Sequence, residues 1–316
     1  MSTSALRQAD LDQPDRPGGS VRLALAALVF GALVIGTTPI LVRLAACGPA
    51  AAGFWRLTFA APLLALMAAG RGAANIGPPS RAMVLAGVFF ALDLACWHYG
   101  IRYTSVANAT VLPNLTPVLV TLASWVFFKE RPRPIFLVGL VAAVGGAVLM
   151  AGTGPASAAR QGPLPHIGDA LSVSTAVWYG LYFMSVRAAR LTRSTLSVML
   201  WSCLIGAPPL LLTAFAMREP VLPATALGWA AVVGLGLAHV FGQGSIAWAL
   251  GRLPASTASV TVLVQPVVAG VLAYLIFSEV LTPLQAAGGA LALVGVVVAQ
   301  QAPPRPLKPD PPAPER

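Results

Sequence analysis

The chain has 316 residues, of which 57% are hydrophobic and only 9% are charged, and its mean hydropathy is +0.79. Soluble domains carry about 25% charged residues, so this chain has too few to cover a surface that faces water. The composition therefore predicts an all-α polytopic membrane protein. The net charge of +10 does not indicate a nucleic-acid partner, because no basic run is interleaved with aromatic residues.

Apolar runs long enough to cross a bilayer follow one another along most of the chain, since about 20 apolar residues are needed for each crossing. Polar, proline-rich tails at 1–21 and 302–316 flank these runs and are predicted to be disordered. The sequence predicts ten transmembrane helices, at residues 22–43, 48–69, 81–101, 105–128, 134–152, 167–188, 194–217, 226–250, 256–277 and 283–301.

Lysine and arginine are distributed unequally between the two sides of the predicted membrane. Of the 20 such residues, Arg56 lies inside a span and four lie in loops on one side, namely Arg43, Arg102, Arg160 and Arg218. The remaining 15 lie on the side that carries both tails. Because positively charged loops stay in the cytoplasm, we expect both termini there and residues 153–166 as a periplasmic linker.

Landmark residues of the first half recur in the second half at a nearly constant separation. Shifts of 146 and 149 residues align Trp55 with Trp201, Pro62 with Pro208, Pro117 with Pro266 and Glu130 with Glu279. We therefore predict two repeats of five spans, at residues 22–152 and 167–301. Because five is odd, the second repeat crosses the membrane in the opposite sense, as in transporters that bind solute between inverted repeats around a central cavity.

Three stretches of this sequence carry a family resemblance. They are Trp55-Arg56-Leu57, the run from Tyr103-Thr104-Ser105 through Pro117 to Lys129-Glu130-Arg131-Pro132, and the run from Leu253-Pro254-Ala255-Ser256 through Gln265-Pro266 to Ser278-Glu279. With them the chain resembles the EamA-type members of the drug/metabolite transporter superfamily. The resemblance implies a multi-pass protein of the bacterial cytoplasmic (inner) membrane in which helices one to four and six to nine surround the cavity. It also implies transport, because family members mostly export amino acids, drugs or other small metabolites.

Two charged side chains lie deep inside predicted spans. Arg56 and Asp93 are each about 12 Å from the outer end of their helix, at eight residues and 1.5 Å per residue. Their helices are consecutive and antiparallel, so the two groups can lie at the same level. They are a structural ion pair, or a binding site in which Arg56 holds a carboxylate or Asp93 holds an amine or a coupling proton, or they do not meet at all.

Other polar and aromatic residues are predicted to line the cavity, since such stripes inside lipid usually face helices or water. The predicted substrate-binding residues are Arg56, Asp93, Trp97, Asn114, Trp178, Tyr182, Gln243 and Gln265. Asp93, His98 and His239 are candidate proton carriers, and for each histidine a hydrogen-bonded packing role is the alternative. Pro117 and Pro266 remove helical hydrogen bonds and are predicted to form hinges or static kinks.

We expect a secondary transporter, working as an exporter of a small metabolite such as an amino acid or amine, by alternating access and with a proton as the candidate coupling ion. The alternatives are a lipid or lipid-linked-sugar flippase of the same superfamily and a non-transporting membrane enzyme or scaffold. The expected partners are the small-molecule substrate and the lipid bilayer, with the protein a monomer or a homodimer. The chain has no Walker A motif, CxxC pair or HExxH motif, so we expect neither an enzyme, a cofactor nor a metal site.

Overall fold

The computed structural model describes residues 21–70, 76–103, 112–152, 164–277, 282–301 and 305–306. The predicted N-terminal tail up to residue 20, nearly all of the predicted 153–166 linker and most of the predicted C-terminal tail lie outside these ranges, as does Glu279. The helices are α1 (Val21–Gly36), α2 (Thr38–Leu44), α3 (Pro49–Ala69), α4 (Arg81–Tyr103), α5 (Thr116–Phe128), α6 (Pro134–Gly152), α7 (Pro165–Arg190), α8 (Thr195–Ala216), α9 (Ala226–Ala238), α10 (Gly244–Leu250), α11 (Ala255–Thr261), α12 (Val264–Phe277) and α13 (Pro283–Gln301).

The described helices have the length and composition of membrane spans. Seven segments within them are long and apolar enough to cross a bilayer, and Leu112–Phe127 and Pro134–Leu149 are shorter apolar helices. Large apolar side chains such as Val126, Phe127 and Val141 are more than 70% exposed, which water would disfavour and lipid tolerates. The chain is therefore an all-α, multi-pass membrane protein.

Several predicted spans are interrupted helices rather than continuous ones. The fourth span begins as a 3-10 turn at Leu112–Leu115 and continues as α5, and the ninth is divided into α11 and α12 by Val262 and Leu263. Pro117 and Pro266 lie in the first turn of the downstream helix in both cases, where a proline costs no helical hydrogen bond. Of the predicted helix at 105–128, the α-helical part among the described residues begins only at Thr116. Residues 104–111 lie outside the described ranges.

Helices α6 and α13 pack with their backbones in direct contact. A Cβ added at Gly139 would overlap the backbone of Ala299, one added at Gly146 would overlap that of Ala292, and one added at Gly295 would overlap that of Ala143. Glycine is needed at these positions because no side chain fits between the helices, as in small-residue contacts between membrane helices. The contact joins the last helices of the two predicted repeats.

A polar corner centred on Glu219 joins helix ends on the predicted outer side. Glu219 Oε2 accepts hydrogen bonds from the backbone N–H of Ala50 at 2.9 Å and of Ala51 at 3.2 Å, and Tyr99 Oη donates to Oε1 at 2.6 Å. The Trp55 indole N–H donates to the carbonyl of Val221 at 2.8 Å. The carboxylate therefore caps the N-terminus of α3, where negative charge is favoured by the helix dipole.

We expect Glu219→Ala to lower the free energy of unfolding by about 2 kcal/mol, because it removes a charged cap and three hydrogen bonds. Tyr99→Phe removes one of the three bonds and should cost less than half as much. Thermal unfolding of the purified variants in detergent measures both effects. Equal losses for the two variants, or no loss for either, would show that Glu219 does not hold this corner.

A second polar corner joins helix ends on the predicted cytoplasmic side. Glu130, in the short strand β1 (Glu130–Arg131), forms an ion pair with Arg187 of α7, and the Arg187 guanidinium also donates to the Leu253 carbonyl. Burial raises the pKa of Glu130, and the neighbouring Arg187 charge opposes that rise. The strand β2 (Arg305–Pro306), within the predicted C-terminal tail, pairs antiparallel with β1. Glu130 therefore links the first predicted repeat to the second.

Candidate functional site

Arg56 of α3 and Asp93 of α4 are both buried, with 6% and 8% of their surfaces exposed. Among the described residues they do not form the direct ion pair that the sequence allowed, and the Arg56 Nε has no hydrogen-bond partner there. Equal depth along two helices did not bring the groups together, because the Arg56 guanidinium lies instead over the Phe90 ring, 5.3 Å from its centroid. A buried guanidinium without a carboxylate partner leaves a positive group available to an anionic ligand.

Phe90 is the centre of an aromatic wall beside Arg56. Its ring centroid lies 4.7 Å from that of Tyr182 on α7 and 5.3 Å from that of His239. Tyr179, one turn before Tyr182, stacks on it with centroids 6.0 Å apart. These rings come from both predicted repeats, and the contact of Phe90 with the Arg56 guanidinium favours positive charge through cation–π attraction.

His239 and Gln243 lie in a five-residue π-helix, His239–Gln243, that joins α9 to α10. The Gln243 Nε2 donates to Tyr182 Oη at 3.1 Å, whereas neither ring nitrogen of the fully buried His239 has a hydrogen-bond partner. The hydrogen-bonded packing role considered for His239 is therefore not observed. π-Helical turns inside α-helices occur frequently at functional sites, because the extra residue redirects side chains.

The interruption of the ninth span places Gln265 in the same region. Gln265 lies in the first turn of α12, where its backbone N–H donates to the Val262 carbonyl at 2.9 Å. Its side chain and that of Gln243 approach the Tyr179 hydroxyl, and the Gln265 Nε2 has no hydrogen-bond partner. The break in the helix thus allows the Gln265 amide to approach the Tyr179 hydroxyl.

Several buried polar side-chain atoms in and around this region have no hydrogen-bond partner among the described residues. Almost all buried polar groups in proteins are hydrogen-bonded, so each exception requires a reason, and an absent ligand or water is one. Within the described part of the chain, the buried atoms of this kind include Arg56 Nε, both ring nitrogens of His98 and His239, Asn114 Nδ2, Thr121 Oγ1, Thr257 Oγ1 and Gln265 Nε2. We call Arg56, Asp93, Tyr179, Tyr182, His239, Gln243 and Gln265 the polar cluster.

The other predicted site residues lie around the polar cluster. His98 is buried, is not hydrogen-bonded through either nitrogen, and packs on Trp97 with ring centroids 5.0 Å apart. Trp178 stacks on Phe89 at 5.9 Å. The 3-10 turn that carries Asn114 packs on α7. Trp97, His98 and Trp178 lie on helices that carry the polar cluster, and Asn114 lies on a turn packed against α7, but no described contact joins any of them to Arg56.

The predicted site residues did not include Tyr179. Tyr179 precedes Tyr182 by three residues, so the two share a helix face, and this spacing could have identified it. Among the described residues no group of three or more His, Cys, Asp or Glu side chains could hold a metal ion.

Two family models match this chain. The model of the EamA-like transporter family matches residues 22–152 and again residues 166–300, and the model of solute carrier family 35 matches residues 97–218. The first family thus covers most of the chain in two copies, with bounds close to those of the two predicted repeats.

Curated relatives include two named exporters. The pseudopaline exporter CntI of Pseudomonas aeruginosa PAO1 is 27% identical over 68% of this chain and 73% of its own length. A probable terminal-alkyne amino-acid exporter of Streptantibioticus cattleyicolor is 27% identical over 79% of this chain and 84% of its own length. An uncharacterized transporter of Archaeoglobus fulgidus is 28% identical over 88% of this chain and 97% of its own length.

A solved crystal structure has the same fold. It superposes with a TM-score of 0.76 at 21% sequence identity and covers 87% of this chain and 96% of its own.

Proposed function

Because the chain belongs to the EamA-like transporter family, as its resemblance predicted, we propose that it exports a small organic metabolite with a carboxylate group, such as an amino acid, by alternating access. The observation that carries this proposal is the buried Arg56, which within the described ranges has no carboxylate partner and lies among other unpaired polar groups. We place the protein in the cytoplasmic membrane of a bacterium, with both termini inside.

Arg56 is proposed to hold the substrate carboxylate. A guanidinium binds a carboxylate through two parallel hydrogen bonds, and burial strengthens that interaction because water does not screen it. The aromatic wall of Phe90, Tyr179 and Tyr182 would contact the rest of the solute, and the amides of Gln243 and Gln265 would hydrogen-bond its polar groups. Asp93, within electrostatic range of Arg56, would receive an ammonium group or a proton.

Proton exchange is proposed as the energy source. Asp93, His98 and His239 are buried ionisable groups on the helical segments around Arg56. A proton on any of them changes the charge that the substrate meets, which is the requirement for coupling proton and solute binding at one site.

Alternating access is proposed to occur by movement of one five-helix repeat against the other. The polar corners of Glu219 and of Glu130 each connect the two predicted repeats, on opposite predicted sides of the membrane. Opening either side would require breaking one corner while the other remains closed. The interruptions before Pro117 and Pro266 are the proposed hinges.

The name of one relative supports a carboxylate-bearing solute, because an amino acid carries a carboxylate. Two relatives are named as exporters, one of pseudopaline and one, a probable exporter, of a terminal-alkyne amino acid. The flippase and the enzyme or scaffold remain the alternatives to this proposal.

The test is solute flux with purified protein in liposomes, using amino acids, amines and matched solutes that lack the carboxylate. We expect saturable flux of carboxylate-bearing solutes that depends on an imposed pH gradient, and we expect Asp93→Asn to remove that pH dependence. No saturable flux of any solute would contradict transport. Flux that does not depend on the pH gradient in either wild type or Asp93→Asn would exclude proton coupling.

A further inference from the structure

Two tryptophans bind loops of the opposite predicted repeat, one on each predicted side of the membrane. On the outer side, the Trp55 indole N–H donates at 2.8 Å to the carbonyl of Val221, in the loop between α8 and α9. On the cytoplasmic side, the Trp201 indole N–H donates at 3.0 Å to the carbonyl of Gly77, in the loop between α3 and α4. We call these two contacts the outer latch and the inner latch.

The two latches occupy equivalent positions. Trp55 and Trp201 align at the shift of 146 residues, and each lies six residues into its helix, counted from Pro49 of α3 and from Thr195 of α8. Each binds the loop that follows the other helix, so the antiparallel pair of α3 and α8 carries one latch at each end. Between the latches, residues of both helices that align at the same shift line an apolar groove of about 570 Å³.

A second pair of equivalent residues binds the same two loops. Ala51 and Ser197 also align at the shift of 146 residues. The Ala51 N–H donates to Glu219 Oε2 at 3.2 Å on the outer side, and the Ser197 hydroxyl donates to the Ile76 carbonyl at 2.7 Å on the cytoplasmic side. The same positions of α3 and α8 therefore close the boundary between the predicted repeats at its two ends.

Close helix contacts lie between the two latches. A Cβ added at Gly87 of α4 would lie 2.8 Å from the Cβ of Ile205 on α8, and one added at Gly236 of α9 would lie 2.6 Å from the Cβ of Phe59 on α3. Phe59 and Ile205 each follow a latch tryptophan by four residues, which is about 6 Å along the helix. Both contacts join different predicted repeats, so a rotation about them would separate one end of the boundary and bring the other end together.

We propose that Trp55 and Trp201 are the gate residues of the transporter, such that the outer latch closes the site from outside, the inner latch closes it from the cytoplasm, and the two open alternately. This inference rests on the proposed export by alternating access and names residues that control it. Each latch stabilises the conformations that are closed on its own side. Removing one latch therefore shifts the population toward the conformation that is open on that side.

The experiment replaces each tryptophan with phenylalanine, which keeps an aromatic ring and removes the N–H donor. The matched control is Trp125→Phe, because Trp125 is 50% exposed on α5 and belongs to neither latch. Hydrogen–deuterium exchange of the full chain in nanodiscs reports opening without any solute. Residues 46–52 and 219–225 report the outer side, and residues 76–84 and 194–201 report the cytoplasmic side.

We expect Trp55→Phe to raise exchange on the outer side about two- to tenfold, the range that corresponds to losing one hydrogen bond, and to lower exchange on the cytoplasmic side. Trp201→Phe should do the reverse, and Trp125→Phe should change neither side. In liposomes, Trp55→Phe should lower the half-saturating solute concentration on the outer face and raise it on the inner face, because apparent affinity follows the fraction of binding-competent protein. Trp201→Phe should again do the reverse.

Three outcomes separate the gate inference from the export proposal. If each variant raises exchange only on its own side and leaves the other side unchanged, the tryptophans are structural anchors and the gate inference fails. If flux is saturable but the half-saturating concentrations shift in the same direction in both variants, export stands and the gate assignment fails. If exchange changes reciprocally but wild type transports no solute, the alternating latches stand and the export proposal fails.

Discussion

Replacing Arg56 with glutamine is expected to lower solute export by about 10- to 150-fold, the range that corresponds to losing a hydrogen bond to a charged group. Glutamine keeps a polar side chain but removes the positive charge that would hold the carboxylate. Arg56→Lys retains the charge without the two-pronged geometry, so it should lie between wild type and Arg56→Gln. Initial rates of counterflow in liposomes, at several solute concentrations, measure the effect.

The matched control for this experiment is Arg81→Gln, which removes an exposed arginine at the start of α4, outside the polar cluster. Its export should equal that of wild type, and size-exclusion profiles should be the same for all variants. Export by Arg56→Gln at the wild-type rate would show that Arg56 does not bind the solute. If Arg56→Gln lowers the flux of a solute without a carboxylate as much as that of its carboxylate counterpart, Arg56 does not act by binding the carboxylate.

Gly146→Leu is expected to destabilise the fold by about 3 kcal/mol or more, because its side chain would overlap the backbone of Ala292 on α13. Backbone atoms cannot move aside without separating α6 from α13. The chain provides an adjacent control, since a Cβ added at Gly145 meets nothing within 4 Å. Gly145→Leu should therefore leave stability nearly unchanged.

Thermal unfolding in detergent and the yield of monodisperse protein distinguish the two glycine variants. Equal loss in Gly145→Leu and Gly146→Leu would mean that the effect comes from the helix itself rather than from the contact between α6 and α13. A stable Gly146→Leu protein would show that these helices are not packed as closely as described.

Composition and helical length were sufficient to predict an all-α membrane protein, because the cost of leaving backbone groups unpaired in lipid allows few other structures. They could not predict side-chain direction. Helix geometry places Arg56 and Asp93 at one depth, but the rotation of each helix is set by packing, and Arg56 turns toward Phe90. The π-helix at His239–Gln243 likewise depends on a tertiary contact, in which Gly242 packs against Ile35 of α1.

Long-range partners were also beyond the sequence. Glu130 aligns with Glu279 at the shift of 149 residues, yet nothing local identifies Arg187 as its partner, 57 residues away. The shift of 146 residues was visible from Trp55 and Pro62, whereas its consequence, a groove with equivalent walls, appears only when α3 and α8 are packed together. The internal repeat identifies equivalent residues on α3 and α8, but only the packing of the two helices shows that these residues lie opposite each other.

The capping of α3 by Glu219 has a consequence for biosynthesis. The two backbone N–H groups that it satisfies precede it by 169 and 168 residues, so they enter the membrane long before their partner exists. At about 5–20 residues per second, translation separates the two events by roughly ten to thirty seconds. During that interval the newly inserted first half has a helix end without its Glu219 cap and a Trp55 indole without its Val221 carbonyl.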